Sequence, residues 1–264
     1  MQKRSWAFAG LAFITGAFAM LLRWLQLMNC FEEETELFIP GSPITWLLLL
    51  TAAVAVVGFL LLALPLRGAA AEQDGTRALR ARSVLPLMLG TAVAVVMLAG
   101  ALLTLLKAGD TAFPLLTRLL GLVGLAASVS LFGLIHRLSR GKADAAACLC
   151  GAVLILFDCF WLIVSYKEHA SDPVIWAYAP EVLAIAASTL GFYFVAGYAF
   201  GRPKPFAALL WSGLAFFTCL VSAPDDRPAS ETLMLLAPAC ALLLCAWLIL
   251  ANTRGGRRLR GEGK

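Results

Sequence analysis

Four charged side chains interrupt long apolar runs in this sequence: Arg23, Arg118, Asp158 and Glu181. An ionised side chain at mid-bilayer costs at least about 2.5–3.5 kcal/mol on insertion scales, so a charge inside a membrane span is a functional candidate by default. Arg23 and Glu181 each stand about five residues, or roughly 8 Å at the helical rise, inside the end of their runs. Arg118 sits about one turn into its own run, and Asp158 lies deeper than the others. Two bases and two acids from four different runs therefore share a depth layer. Mutual pairing inside a bundle would largely cancel their desolvation cost.

Such a layer predicts a polar pocket that opens outward, bordered by Tyr166, His169, Tyr178 and an acidic first loop, and able to bind a small polar or charged solute. Opposed to this is a structural expectation. Arg23, Arg118 and Glu181 are near enough to the interface to snorkel, and buried pairs often only fix helix register. Asp158 has the shortest reach and is the hardest to explain that way. Cys159 follows it, but adjacent residues on a helix do not face each other, and an acid beside a thiol opposes thiolate formation. Acid or base catalysis by Asp158 or Glu181 would need a strongly perturbed carboxyl, and no nucleophile or metal constellation accompanies them.

A second motif concerns packing. Gly197 and Gly201 form a small-xxx-small step, with Gly191 further up the same run, and that spacing lets a neighbouring helix approach closely. It supports the alternative to a small-solute transporter or solute-binding membrane subunit: a non-catalytic scaffold or sensor that assembles with another membrane protein or with a second copy of the chain. The seven cysteines have no metal or redox spacing: Cys148 and Cys150 are two apart, and no histidine lies near Cys240 or Cys245. They read as small hydrophobes, and the sequence implies no cofactor and no metal.

The elements that position these residues are set by hydropathy. Of 264 residues, 61% are hydrophobic and 14% charged, and mean hydropathy is +0.86. A soluble globule could not cover that much apolar surface, whereas runs of about 20 residues match the roughly 30 Å of hydrocarbon a helix must cross. The runs are apolar on all sides, which disfavours a barrel of alternating strands. The expected fold is an all-α polytopic bundle, one transmembrane domain over 1–264, with spans near 5–28, 44–66, 84–106, 114–135, 143–166, 174–200, 206–223 and 232–251. The first run is too long for a signal-peptide core, so it is expected to stay as a span.

Lysine and arginine fall almost wholly at the two termini and in the loops after spans two, four and six. The alternate loops hold only Lys107, Lys167 and Arg227. Basic short loops stay in the cytoplasm, so the pattern predicts both termini inside, in a cell membrane of the bacterial cytoplasmic type. The net charge of +5 is spent on topology, not gathered on one aqueous face as nucleic-acid binding requires. A basic tail, Arg254 to Lys264, is placed to hold the C-terminus inside or to meet anionic headgroups. Trp24, Trp46, Trp161 and Trp176 fall near the opposite ends of spans, where indoles favour the headgroup layer. Spans one and two echo five and six in layout, which suggests two parallel four-helix halves. No phosphate-cradling loop, paired-histidine helix or serine elbow is present.

Overall fold

Prolines set the start of several helices. Pro43, Pro86, Pro114 and Pro205 occupy the first or second helical position, where a missing N–H costs nothing and φ is already helical. Ser42 caps one start by accepting from the Ile44 N–H at 3.3 Å, and Asp144 caps another from the Ala147 N–H at 2.9 Å. Two ends are closed by glycines in the left-handed region. Gly141 (φ 73°) and Gly201 (φ 68°) each sit where a side chain would strain the backbone.

In a computed structural model that describes residues 2–32, 37–39, 41–67, 75–111, 113–170 and 174–252, these signals delimit eight long helices. They are α1 (Gln2–Asn29), α2 (Pro43–Ala63), α3 (Leu85–Lys107), α4 (Pro114–Ser139), α5 (Ala145–Glu168), α6 (Ile175–Ala199), α7 (Pro205–Ser222) and α8 (Ala229–Asn252). All eight are long and apolar enough to cross a membrane. Among the described residues the only β feature is a single antiparallel bridge between Phe31 and Phe38. The chain is an all-α polytopic membrane bundle.

α8 is the most buried span and α2 the least. α3, α7, α1, α6 and α4 all touch α8, while α4–α5, α5–α6 and α6–α7 pack as successive neighbours around it. α1 and α2 form a hairpin that leans on α7. Small residues permit the closest approaches: a Cβ on Gly100 would meet the Ser230 carbonyl at 2.8 Å, and one on Gly191 would meet Leu242 at 2.7 Å. Several threonine hydroxyls inside the spans bond back to the carbonyl four residues earlier, as Thr15 does to Leu11 and Thr51 to Leu47, which satisfies their donors within the helix. The two halves pack differently: α6 lies close along α7, whereas α2 and α3, the corresponding pair in a duplication, share no comparable contact.

The loops divide the bundle into a basic end and an acidic end. At the basic end Asn252 donates to the Ala78 and Arg80 carbonyls at 3.0 and 2.8 Å, tying the close of α8 to the loop between α2 and α3. Arg137 pairs there with Asp144 in an exposed contact. The basic tail beyond Asn252 lies outside the described residues, as do Glu33, Glu34 and Glu36 of the acidic first loop.

Candidate functional site

Arg23 is the key to the acidic end. Its side chain is completely buried, and all three of its nitrogens are used: Nε donates to Asp225 Oδ1 at 2.7 Å, Nη1 to Gln26 Oε1 at 2.8 Å, and Nη2 to the Ala177 carbonyl at 3.0 Å. Gln26 is three residues on, so it shares Arg23's face of α1, and it passes the chain of bonds to Thr45 of α2 at 2.8 Å. Ala177 lies in the first turn of α6, shortly before Pro180. One guanidinium therefore joins α1, α6 and the loop between α7 and α8.

Asp225 continues the network. Its second oxygen accepts from Ser222 Oγ at 2.9 Å and from Arg227 Nη2 at 3.1 Å. Arg227 Nη2 also donates to Ser222 Oγ and stands 3.5 Å from Glu181 Oε2. The Arg227 side chain is only 4% exposed, yet its Nε and Nη1 have no hydrogen-bond partner among the described residues. Glu231, buried at the start of α8, lies within electrostatic reach of Arg227, Glu181 and the half-buried Glu168. Next to this group, His169 stacks on Tyr178 with centroids 4.9 Å apart, and its Nδ1 donates to the Ser165 carbonyl at 2.9 Å. Tyr166 points outward and is exposed.

The structure brings Arg23 and Glu181 into one network, but each is paired with a loop residue and not with the other. Arg118 does not join them; it is exposed at the head of α4, where its long stem can carry its charge to the interface. Asp158 does not join them either. It lies ten residues before the end of α5, about 15 Å along the helix axis from Glu168. It is 2% exposed, its Oδ2 has no hydrogen-bond partner, and no ion pair reaches it among the described residues. Cys219 of α7 lies within electrostatic reach of it, and that thiol contacts Ser188 Oγ of α6 at 3.7 Å.

The three glycines have separate tasks. Gly191 meets Leu242 of α8, a helix approach inside the bundle. Gly197 and Gly201 close their own helix: the Arg202 N–H bonds to the Gly197 carbonyl at 2.8 Å and the Gly201 N–H to the Tyr198 carbonyl at 3.4 Å, the pattern of a Schellman cap. Of the four tryptophans expected at span ends, Trp46 and Trp24 face outward, and Trp176 stacks on Phe38 of the first loop at 5.4 Å. Trp161 instead turns inward against Phe157 and is buried, because its face of α5 is the one that looks into the bundle.

Sequence reasoning assigns Asp225 and Arg227 to an aqueous loop and does not anticipate their burial. The available signal was the brevity of the connection, residues 223–228, which holds its charges at the mouth of the bundle, together with an arginine set among acids. Two open hollows lie elsewhere. One of about 180 Å³ at the basic end is lined by Arg67, Lys204 and Phe206, and one of about 250 Å³ on the α3–α4 face is lined by Ala94, Leu98 and Phe132. Among the described residues no group of three or more histidine, cysteine or acidic side chains could hold a metal ion. No family model matches the chain, and neither a curated protein nor a solved structure shows significant similarity to it.

Proposed function

We propose that this chain is a small-solute transporter of a cell membrane, with Asp158 as its coupling carboxyl and the acidic end as the mouth through which solute enters. The observation that carries this reading is the state of Asp158: a carboxyl buried in the middle of a span, with one oxygen unpartnered and no ion pair among the described residues. An ionisable residue inside a span is costly and is a functional candidate by default, and a carboxyl with no fixed counter-charge is open to taking up and releasing a proton or a cation. Arg23 and Arg227 support the reading as a gate, since their bonds join α1, α6 and the α7–α8 loop and would have to part for the mouth to open. The assembly reading draws no support from Gly197 and Gly201, because both are spent on the cap of α6.

The test is a thermal-stability screen of purified protein in detergent against ions, amino acids, sugars and lipids at several pH values, on wild type and Asp158→Asn in parallel. Bound ligand raises stability by mass action. A stabilising solute whose effect is lost or loses its pH dependence in Asp158→Asn supports transport. Silence across the whole panel sinks it.

A further inference from the structure

The polar groups of the acidic end do not balance. Every nitrogen of Arg23 has an acceptor, and Asp225 accepts from Arg23, Ser222 and Arg227. Arg227 uses a single nitrogen and keeps two buried donors without partners. Glu168 and Glu231 form no ion pair among the described residues, so the cluster around Arg227 sets two guanidinium groups, Arg23 and Arg227, against the four carboxyls of Glu168, Glu181, Asp225 and Glu231. Unmet donors and surplus carboxyl groups thus lie in one cluster.

We propose that the acidic end binds a small zwitterion, with its carboxylate or phosphate on the free N–H groups of Arg227 and its ammonium between Glu168 and Glu231. A simple anion would satisfy Arg227 but face the surplus carboxylates. A simple cation would answer the carboxylates and leave the buried donors unmet, which is costly in a dry site. Guanidinium is the side chain best shaped for carboxylate and phosphate oxygens, and an ammonium brings three donors that can bridge separate carboxylates. Among the described residues no three of these carboxyls converge to hold a metal ion. This names the substrate class of the transport reading and rests on it for the site's role, while the site itself stands on the Arg227 geometry.

Two sources carry that chemistry, a free amino-acid-like solute and the headgroup of a zwitterionic phospholipid. The experiment titrates full-length protein in detergent with the twenty proteinogenic amino acids, with glycerophosphoethanolamine, and with ethanolamine and acetate as half-ligands, reading thermal stability and calorimetric affinity. We expect at least one zwitterion to stabilise the protein at concentrations where neither half-ligand does. Binding of an amino acid identifies a solute site, and binding of glycerophosphoethanolamine alone a headgroup site. Arg227→Lys and Glu231→Gln should each weaken that binding at least tenfold; should Arg227→Lys fail to fold, Glu231→Gln carries the test. No stabilising zwitterion, equal binding of a half-ligand, or affinity unmoved by the variants overturns the proposal. If a sugar or an inorganic ion binds in an Asp158-dependent way and no zwitterion does, the zwitterion site falls and transport stands. If a zwitterion binds equally well to Asp158→Asn, the site stands and the coupling role falls.

Discussion

At the acidic end, Arg23 and Glu181 each meet an opposite charge supplied by the loop between α7 and α8, whereas Asp158, deeper in α5, meets none among the described residues. Both regions put ionisable groups where water is scarce. In the first, cost is offset locally by bonds that also lash three parts of the fold together, so removal of one member leaves its partner stranded. In the second, nothing in the resting bundle depends on the charge. A buried network holds the structure together, and a buried solitary carboxyl is free to change its state, which is why the second is the better candidate for function.

The comparison is most severely tested by Arg23→Ala. Stranding Asp225 and Gln26 in a buried site should cost about 3–5 kcal/mol, the usual effect of removing one partner of a buried pair. The check is chemical denaturation in detergent, and a loss under about 1 kcal/mol would mean that the network is not structural. A double-mutant cycle on Glu181→Gln and Arg227→Gln should give a smaller coupling of about 0.5–3 kcal/mol, because that contact is longer and Arg227 keeps its bonds to Ser222 and Asp225. Additive behaviour would remove Glu181 from the network.

Asp158→Asn should change stability by less than about 1 kcal/mol, since the amide keeps the shape and no ion pair is lost. A loss as large as that of Arg23→Ala would show that Asp158 has a partner in the folded state and would erase the contrast.

The exposed pair at the basic end gives the smallest effect. The Asp144 carboxyl lies below its ordinary value of 3.8, first because it accepts the Ala147 N–H and also because Arg137 is beside it. A lowered folded value means that the carboxylate's stabilisation is fully present above 3.8 and fades as pH falls through the lower folded value. Acid titration of wild type against Asp144→Asn should show a slight loss in that window only for wild type, and identical curves would remove Asp144 from the acid response.

Much of the fold was legible in the sequence. The eight runs, the prolines that open four helices, and the division into basic and acidic loops all follow from local hydropathy and turn chemistry, and the helix bounds differ from the expected spans by only a few residues. The site was legible only in part. Arg23, Asp158 and Glu181 stand out because charge in an apolar run is rare, but Arg118 stands out for the same reason and is exposed. Asp225 and Arg227 give the opposite case: in sequence they resemble any polar connection, and in space they are the counter-charges.

What the sequence determined by itself is everything that depends on the solvent. Lipid demands internally bonded helices of a certain length, and it exacts a cost for any charge within them, so span number and the candidate charges follow from residue order. Partner choice depended on tertiary structure, because neither depth nor hydropathy states which helix faces which. The pairing of Arg23 with Asp225, 202 positions away, the inward turn of Trp161, the use of Gly201 as a cap and the isolation of Asp158 arise only when α8 is enclosed and the α7–α8 loop folds over the mouth of the bundle.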